Sequence, residues 1–340
     1  MEVKIGTHNG PFHADDVMAC AMLKKLPEFK DAKIERSREE DVLAKCEIVV
    51  DVGRKFSHEK KRYDHHQEDF DLTMGQISKG EIKSKTKLSS AGLIFFYYGK
   101  EIIKELLTEK EDRSKAKIDW IWKRMYFNLI NEIDHIDNNG SVPDIIRTGF
   151  TKRAGRLNPA WDEAEPDFDK FFLRAVDLAS QEFRETLEEI ESQFRAKLAV
   201  KEKIATREKD HKSGQVLIFE RYTSWNSSIT EAEMEAGIKG TILFVITPYT
   251  DSGRYSVSTV NGRVLFPFQW RALEGEKLQK ATGLAGAKFV HSGRHVAFTD
   301  NKEDAVRLVD IVLDIQRKEE KKRGRRMRWE LVPQAEKRLW

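Results

Sequence analysis

Apolar positions along this chain follow two rhythms that alternate over the first half. Val3-Lys4-Ile5 is a short apolar run, and Thr7 to Pro11 reads as a loop punctuated by Gly10-Pro11. Asp15 to Leu26 then places Val17, Met18, Ala21, Met22 and Leu26 at helical spacing. A second unit repeats the order: Ala32 to Arg36 is strand-like, Glu39 to Ala44 a short helix, and Glu47 to Val52 a buried-type strand stopped by Gly53. Ser89-Ser90-Ala91-Gly92 opens a helix through Ile94, Phe95 and Tyr98, continued by Lys100 to Glu109, and a long amphipathic helix is expected from Ile118 to Asp137. Strands alternating with helices predict an α/β domain: a parallel sheet with helices on both faces.

From Pro166 to Arg207 the pattern is helical and dense in Glu, Lys and Arg, which predicts a solvent-exposed helix joining two domains. Beyond it, Val216 to Phe219, Thr241 to Ile246 and Tyr255 to Val260 read as strands, and Glu303 to Gln316 as a closing helix. These elements predict a smaller C-terminal α+β domain. The expected division is residues 1–180 for the first domain, 181–207 for the linker helix, 208–315 for the second domain and 316–340 for a basic tail.

Composition narrows the class. The 340 residues are 39% hydrophobic and 34% charged, as in a globular protein with highly charged helices. No uninterrupted apolar stretch approaches the roughly 18 residues of a membrane span, so no membrane partner is expected. Met1 leads almost directly into the first strand, so no secretory signal is expected. Cys20 and Cys46 sit in apolar settings and form neither a metal-ligand pattern nor a disulfide framework; the expectation is an intracellular, reducing compartment. The net charge of +3 says little, but the tail concentrates Arg323, Arg325, Arg326 and Arg328. Such a run either holds phosphates or is a solvated helix end.

The candidate chemistry lies at the carboxyl ends of expected strands, the edge where open α/β sheets bind ligands. His8, His13 and Asp15 follow the first strand, a mixture of imidazole and carboxylate that suits Mn²⁺, Zn²⁺ or a similar cation. The alternative is that Asp15 or Asp16 only caps the helix. Asp51 ends an apolar strand, where it is a ligand or a turn residue. Asp64-His65-His66 offers one ligand and one phosphate contact, or else an exposed surface pair. Asp134 and Asp137 share a helix face near its C-terminus, where the dipole disfavours two carboxylates and a cation relieves the cost. Ser89 and Ser90, at a helix N-terminus, either bind phosphate or cap. Trp161, Trp225 and Trp270 are read as packing residues.

Taken together, THNGPFHADD, VVDVG, YDHHQ and the Asp134–Asn138 segment resemble the DHH phosphoesterase superfamily. Within it, TKLSSAGL (86–93), RLNPAW (156–161) and FVHSGRH (289–295) resemble the melanocyte-proliferating-gene exonuclease branch, over most of residues 3 to 315. The resemblance implies a DHH-type catalytic domain holding two divalent cations, Mn²⁺ or Mg²⁺. Carried over, His8, His13 and Asp51 hold one ion; Asp15, Asp51, His65 and either Asp134 or Asp137 hold the other, with Asp51 bridging. His66 then faces the substrate phosphate, and Asp64 orients an imidazole. Arg294 and His295, with His291, would contact phosphate from the second domain. Two features depart from the pattern: His13 stands where many superfamily members have Asp, and His291 to Phe298 replaces a Gly-Gly-rich turn. The expected partner is single-stranded nucleic acid, RNA favoured, degraded from the 3′ end. The rivals are a small-molecule phosphatase or pyrophosphatase with the same ions, and a nucleic-acid-binding protein without catalysis.

Overall fold

The computed structural model describes residues 2–108, 112–139, 148–249 and 253–330. The chain divides into two compact units, up to Phe194 and from Arg195.

The first unit is built on five strands: β1 (Lys4–Thr7), β2 (Lys33–Arg36), β3 (Ile48–Val50), β4 (Phe56–Ser57) and β5 (Arg62–Tyr63), in the order β2-β1-β3-β5-β4. β1 pairs parallel with β2 and β3, and β3 with β5; only β4 runs antiparallel. The strand order reverses direction between β1 and β3, so this is the switch point at which a crevice opens outside the carboxyl ends. Three parallel strands therefore deliver their following residues to one edge: His8 after β1, Asp51 after β3, Asp64-His65-His66 after β5.

Alternation along the strands sends side chains to two unequal layers. Ile5, Ile48 and Val50 join a large core with α1 (Ala14–Leu23), and Val49 joins a small one with Leu43, Cys46 and Val52 beside α2 (Glu40–Leu43). Gly6 leaves room for the small core, because a Cβ there would lie 3.1 Å from the Cys46 sulfur and from Val49 and those neighbours would have to give way. After α3 (Met74–Ile77), α4 (Ser90–Leu106) packs on α1; α5 (Lys115–Met125) and α6 (Asn131–Asn139) follow, joined by a π-helical turn at Tyr126–Ile130. The helix expected over 118–137 thus contains a register change that periodicity does not reveal. α7 (Phe150–Gly155) completes the set around the site.

The linker expectation needs correction. α8 (Phe168–Asp210) lies where the helical pattern from Pro166 to Arg207 put it, but it is not a solvent-exposed spacer. Phe172, Ala175, Ala179, Phe183, Leu187 and Ile190 are buried in the first unit's core, and Val200 and Ile204 in a core of the second. Its charges cover only the remaining faces. Trp161, expected to pack, is 97% exposed, whereas Trp270 is buried and Trp225 half-buried.

The second unit has β6 (Val216–Ile218), β7 (Phe244–Tyr249), β8 (Arg254–Thr259), β9 (Ala287–Val290) and β10 (Val296–Thr299), in the order β6-β7-β8-β10-β9. Only β6 and β7 are parallel. α9 (Ile229–Glu235), α10 (Gly275–Thr282) and α11 (Lys302–Glu330) accompany the sheet, and Leu308, Val309, Val312 and Leu313 of α11 are buried in its core. The expected tail begins inside α11; residues 331–340 lie outside the described residues. Among the described residues no helix is long and apolar enough to cross a membrane.

Candidate metal centre

Asp51 lies at the centre of the site. The chain turns sharply after β3, with Asp51 at φ 57°, Gly53 at 94° and Arg54 at 52°. A non-glycine residue in this region is uncommon, and such strain concentrates at functional positions. The turn leaves the Asp51 carboxylate 3.4 Å from His8 Nε2, 3.3 Å from His65 Nε2 and 3.5 Å from His66 Nδ1, and it accepts a hydrogen bond from the Ser90 hydroxyl at 3.2 Å.

α1 supplies the next residues. His13 is its N-cap, and the Asp16 carboxylate accepts from the His13 amide at 3.0 Å. This end of the helix brings Asp15 and Asp16, both fully buried, under the β1 and β3 termini. His8 Nε2 lies 3.1 Å from Asp16, while its Nδ1 faces the Asn9 carbonyl at 3.1 Å. Arg38 Nη2 also lies 3.4 Å from Nδ1, so the backbone and Arg38 hold that edge of the ring and Nε2 is the nitrogen turned to the carboxylates. The preceding loop is clamped from outside. Asn158 of the RLNPAW segment accepts from the Phe12 amide and donates to the Phe12 carbonyl, and Arg36 donates to the Gly10 carbonyl.

Asp137, on α6, comes within 3.1 Å of His65 Nε2, and Asp15 within 3.6 Å of the same atom. Among the described residues, four groups have ligand atoms within 4.8 Å of one another: His8, His13 and Asp51; His13, Asp15 and Asp137; Asp51, His65 and His66; Asp15, Asp16 and Asp51. Asp51 belongs to three of them, as a bridging carboxylate would.

A divalent cation fits this donor set. Among the described residues, neither carboxylate oxygen of Asp15 and neither ring nitrogen of His65 makes a well-aligned hydrogen bond, although carboxylates crowd His65 Nε2. Leaving such groups unsatisfied is costly, and mixed imidazole and carboxylate donors at this spacing suit a borderline cation. The electrostatics agree. Burial, reinforced by Asp51 and Asp137, pushes the Asp15 carboxyl well above its usual range, and burial also raises Asp16 and Asp137. Burial opposes a charged His8, but Asp16 and Asp51 outweigh it and raise its pKa to about 10. Burial likewise opposes ionisation of Asp51, yet His65 and His8 hold it below the usual carboxylate range. The cluster is an accumulation of negative charge that calls for cations.

Asp64 plays a different part. Its carboxylate accepts from the backbone amides of Arg54, His65 and His66 at 2.5, 2.7 and 3.1 Å, and bonds His66 Nδ1 at 2.8 Å. Burial works against its charge, but His66 and these amides keep it ionised below the usual range. The same bond raises the pKa of His66, whose ring is half-exposed.

Asp134 is not brought to the cluster. It is fully buried and accepts from the Ser89 amide at 3.0 Å, the Ser89 hydroxyl at 2.7 Å and the Tyr126 hydroxyl at 3.2 Å, with burial raising its pKa to about 7. It ties α6 to the start of α4. Of the two readings of Ser89 and Ser90, this geometry favours the cap over the phosphate contact: both are fully buried, Ser89 bonded to Asp134 and capping α4, Ser90 bonded to Asp51. Sequence reasoning passed over Asp16, which it weighed only as a cap, and Asn158, whose signal was the RLNPAW segment.

In the second unit, the β9–β10 turn carries His291, Arg294 and His295. A Cβ at Gly293 would lie 2.7 Å from the exposed His295 ring, which would have to turn aside. The Arg294 guanidinium donates to the Phe266 carbonyl and lies 5.6 Å from the centre of the Phe268 ring, with Arg271 at 4.8 Å. Phe268 is 61% exposed. His295 lines a polar cleft of about 460 Å³ with Tyr222, Trp225, Thr247 and Ser258.

Comparison with known proteins supplies the family. The model of the family described as MYG1_exonuc, uncharacterised protein family (UPF0160), matches residues 4–313. The MYG1 exonuclease of Homo sapiens is 35% identical over 326 residues, covering 91% of this chain and 85% of its own length. That of Bos taurus is 35% identical over 327 residues, covering 91% and 84%. The MYG1 protein of Dictyostelium discoideum is 34% identical over 322 residues, covering 90% and 94%. With a family match over nearly the whole chain and a buried histidine–aspartate cluster at the switch point of its sheet, the chain belongs to the MYG1 exonuclease family.

Proposed function

We propose that this phosphoester-hydrolysing enzyme is a 3′-to-5′ exonuclease on single-stranded RNA that works with two divalent cations, Mn²⁺ in preference to Mg²⁺. The observation that carries the reading is the shared Asp51, whose carboxylate belongs to histidine groups on both of its sides. His8, His13 and Asp51 would hold one cation, and Asp15, Asp51, His65 and Asp137 the other. Bound there, the cations supply Lewis acidity, lowering the pKa of water and neutralising charge on the phosphoryl oxygens.

The remaining roles follow from the protein's own groups. Asp64, fixed by three amides, holds the His66 ring and favours its protonated form, so His66 donates to a phosphoryl oxygen as charge develops. Water adds to phosphorus, the bond to the 3′ oxygen breaks, and that oxygen leaves as a hydroxyl with one proton of the water. A nucleoside 5′-monophosphate is released. The exposed Phe268 ring with Arg271 and Arg294 supports a single strand, since unpaired bases stack on such rings and guanidinium groups hold the backbone. RNA and the 3′ polarity are taken from the family resemblance. The test is a set of three substrates with Mn²⁺: a free linear RNA, the same strand blocked at its 3′ end, and a circular RNA. The reading expects stepwise loss of mononucleotides from the first alone. Cleavage of the circle would establish an endonuclease instead.

A further inference from the structure

Beside the cluster, the first unit carries a cleft of about 470 Å³ that the roles above leave unused. His13 and Asp137, both members of the metal-ligating groups, form part of its wall. Phe12 and Ile136 give it apolar lining, and Lys152 and Arg156 line the rest. The two cations come from α7 and its C-cap, four residues apart and so on one helix face. Both are exposed, and among the described residues neither is in an ion pair, whereas Arg153 between them is spent on Glu182. The fold sets these two charges on a cavity of a size typical of small-molecule sites. A guanidinium and an ammonium together match a phosphate. Inorganic phosphate or pyrophosphate would use the cations and leave the apolar lining bare. A nucleotide uses both.

We propose that this cleft seats the terminal nucleotide of the strand, with Lys152 and Arg156 pairing with its phosphate and Phe12 and Ile136 lying against its sugar and base. The seat rests on the exonuclease reading and holds the unit that becomes its product, a nucleoside 5′-monophosphate. It makes Arg156 and Lys152 binding residues.

Calorimetric titration of the Mn²⁺-loaded full chain tests it, with AMP, adenosine and inorganic phosphate as probes and RNA degradation assayed in parallel. AMP is expected to bind more tightly than either fragment. Arg156→Gln should weaken AMP binding about tenfold, the worth of one charged hydrogen bond, and leave adenosine unchanged. Lys152→Gln should act in the same direction, and Arg156→Lys should restore part of the loss. Both positions are exposed, and a circular dichroism spectrum checks that each variant folds. If the wild type degrades RNA while the Lys152→Gln, Arg156→Gln double variant binds AMP as tightly as it does, the seat alone is overturned. Phosphate binding as tightly as AMP overturns it too, because the apolar lining is then idle. A wild type that degrades no RNA with Mn²⁺ overturns the exonuclease reading, and with it the seat for a strand terminus.

Discussion

Asp15 and Asp16 are neighbours, equally buried, and opposite in their bonding. Among the described residues, Asp15 has two oxygens with no well-aligned hydrogen bond, as an inner metal ligand would; Asp16 spends one oxygen on the His13 and Val17 amides and turns the other to His8. Asp16 therefore positions His8 and closes the N-terminus of α1 at once. Asp16→Asn keeps the cap and removes the charge, so Mn²⁺ affinity measured by calorimetry should fall about 10–100-fold, the usual cost of losing a group that supports a ligand. Unchanged affinity would reduce Asp16 to a cap. This dual use explains why the sequence left it unread: an aspartate in the first turn of a helix already has a sufficient local reason to be there. His8 and Asp51 stood out for the opposite reason, since each directly follows an apolar strand where no capping role competes.

At the scale of elements, the junction of α4 with α6 decides where Asp137 stands. Asp134 is held by Ser89 and Tyr126, and Gly92 is what lets the two helices approach, because a Cβ there would fall on the Asp134 carboxylate. Gly92→Ala should cost about 1–3 kcal/mol, as overpacking does. Because the displaced carboxylate sits one turn from Asp137, it should also lower turnover at saturating RNA, read beside a urea melt. A variant with wild-type stability and turnover would show that the junction yields freely. Strand–helix alternation made the parallel sheet readable, and the spacing of Asp134 and Asp137 drew attention to both. What periodicity could not supply was the choice between them, which depends on the π-helical turn and on partners from 45 residues away. It also missed β9 and β10, which at four residues each are too short for alternation to stand out. α8 misled through its charges: the buried positions form a narrow stripe among Glu, Lys and Arg, and two cores share it in succession.

The molecule as a whole has a net charge of only +3, so its hold on a polyanion depends on where cations are placed rather than on their total. Among the described residues, the last buried residue in the α11 core is Leu313, and the basic run follows it in sequence. Truncation after Arg317 should therefore preserve the second unit's core. It should also reduce the slope of log affinity against log salt by about 0.7 for each phosphate of a single strand that the run neutralises in the full chain. An unaltered slope would make the run a solvated helix end. The central claim is that Asp51 joins two groups of metal ligands into one hydrolytic site, and its most direct test is a degradation ladder on end-labelled single-stranded RNA. Wild-type protein and Asp51→Ala are compared with Mn²⁺ and with chelator, and their Mn²⁺ binding is followed in parallel. The account predicts a ladder for the wild type with Mn²⁺ only, and for Asp51→Ala a folded protein that yields no ladder and has lost its Mn²⁺. A wild-type ladder of full intensity in chelator, or an Asp51→Ala protein that degrades the strand as the wild type does, would contradict it.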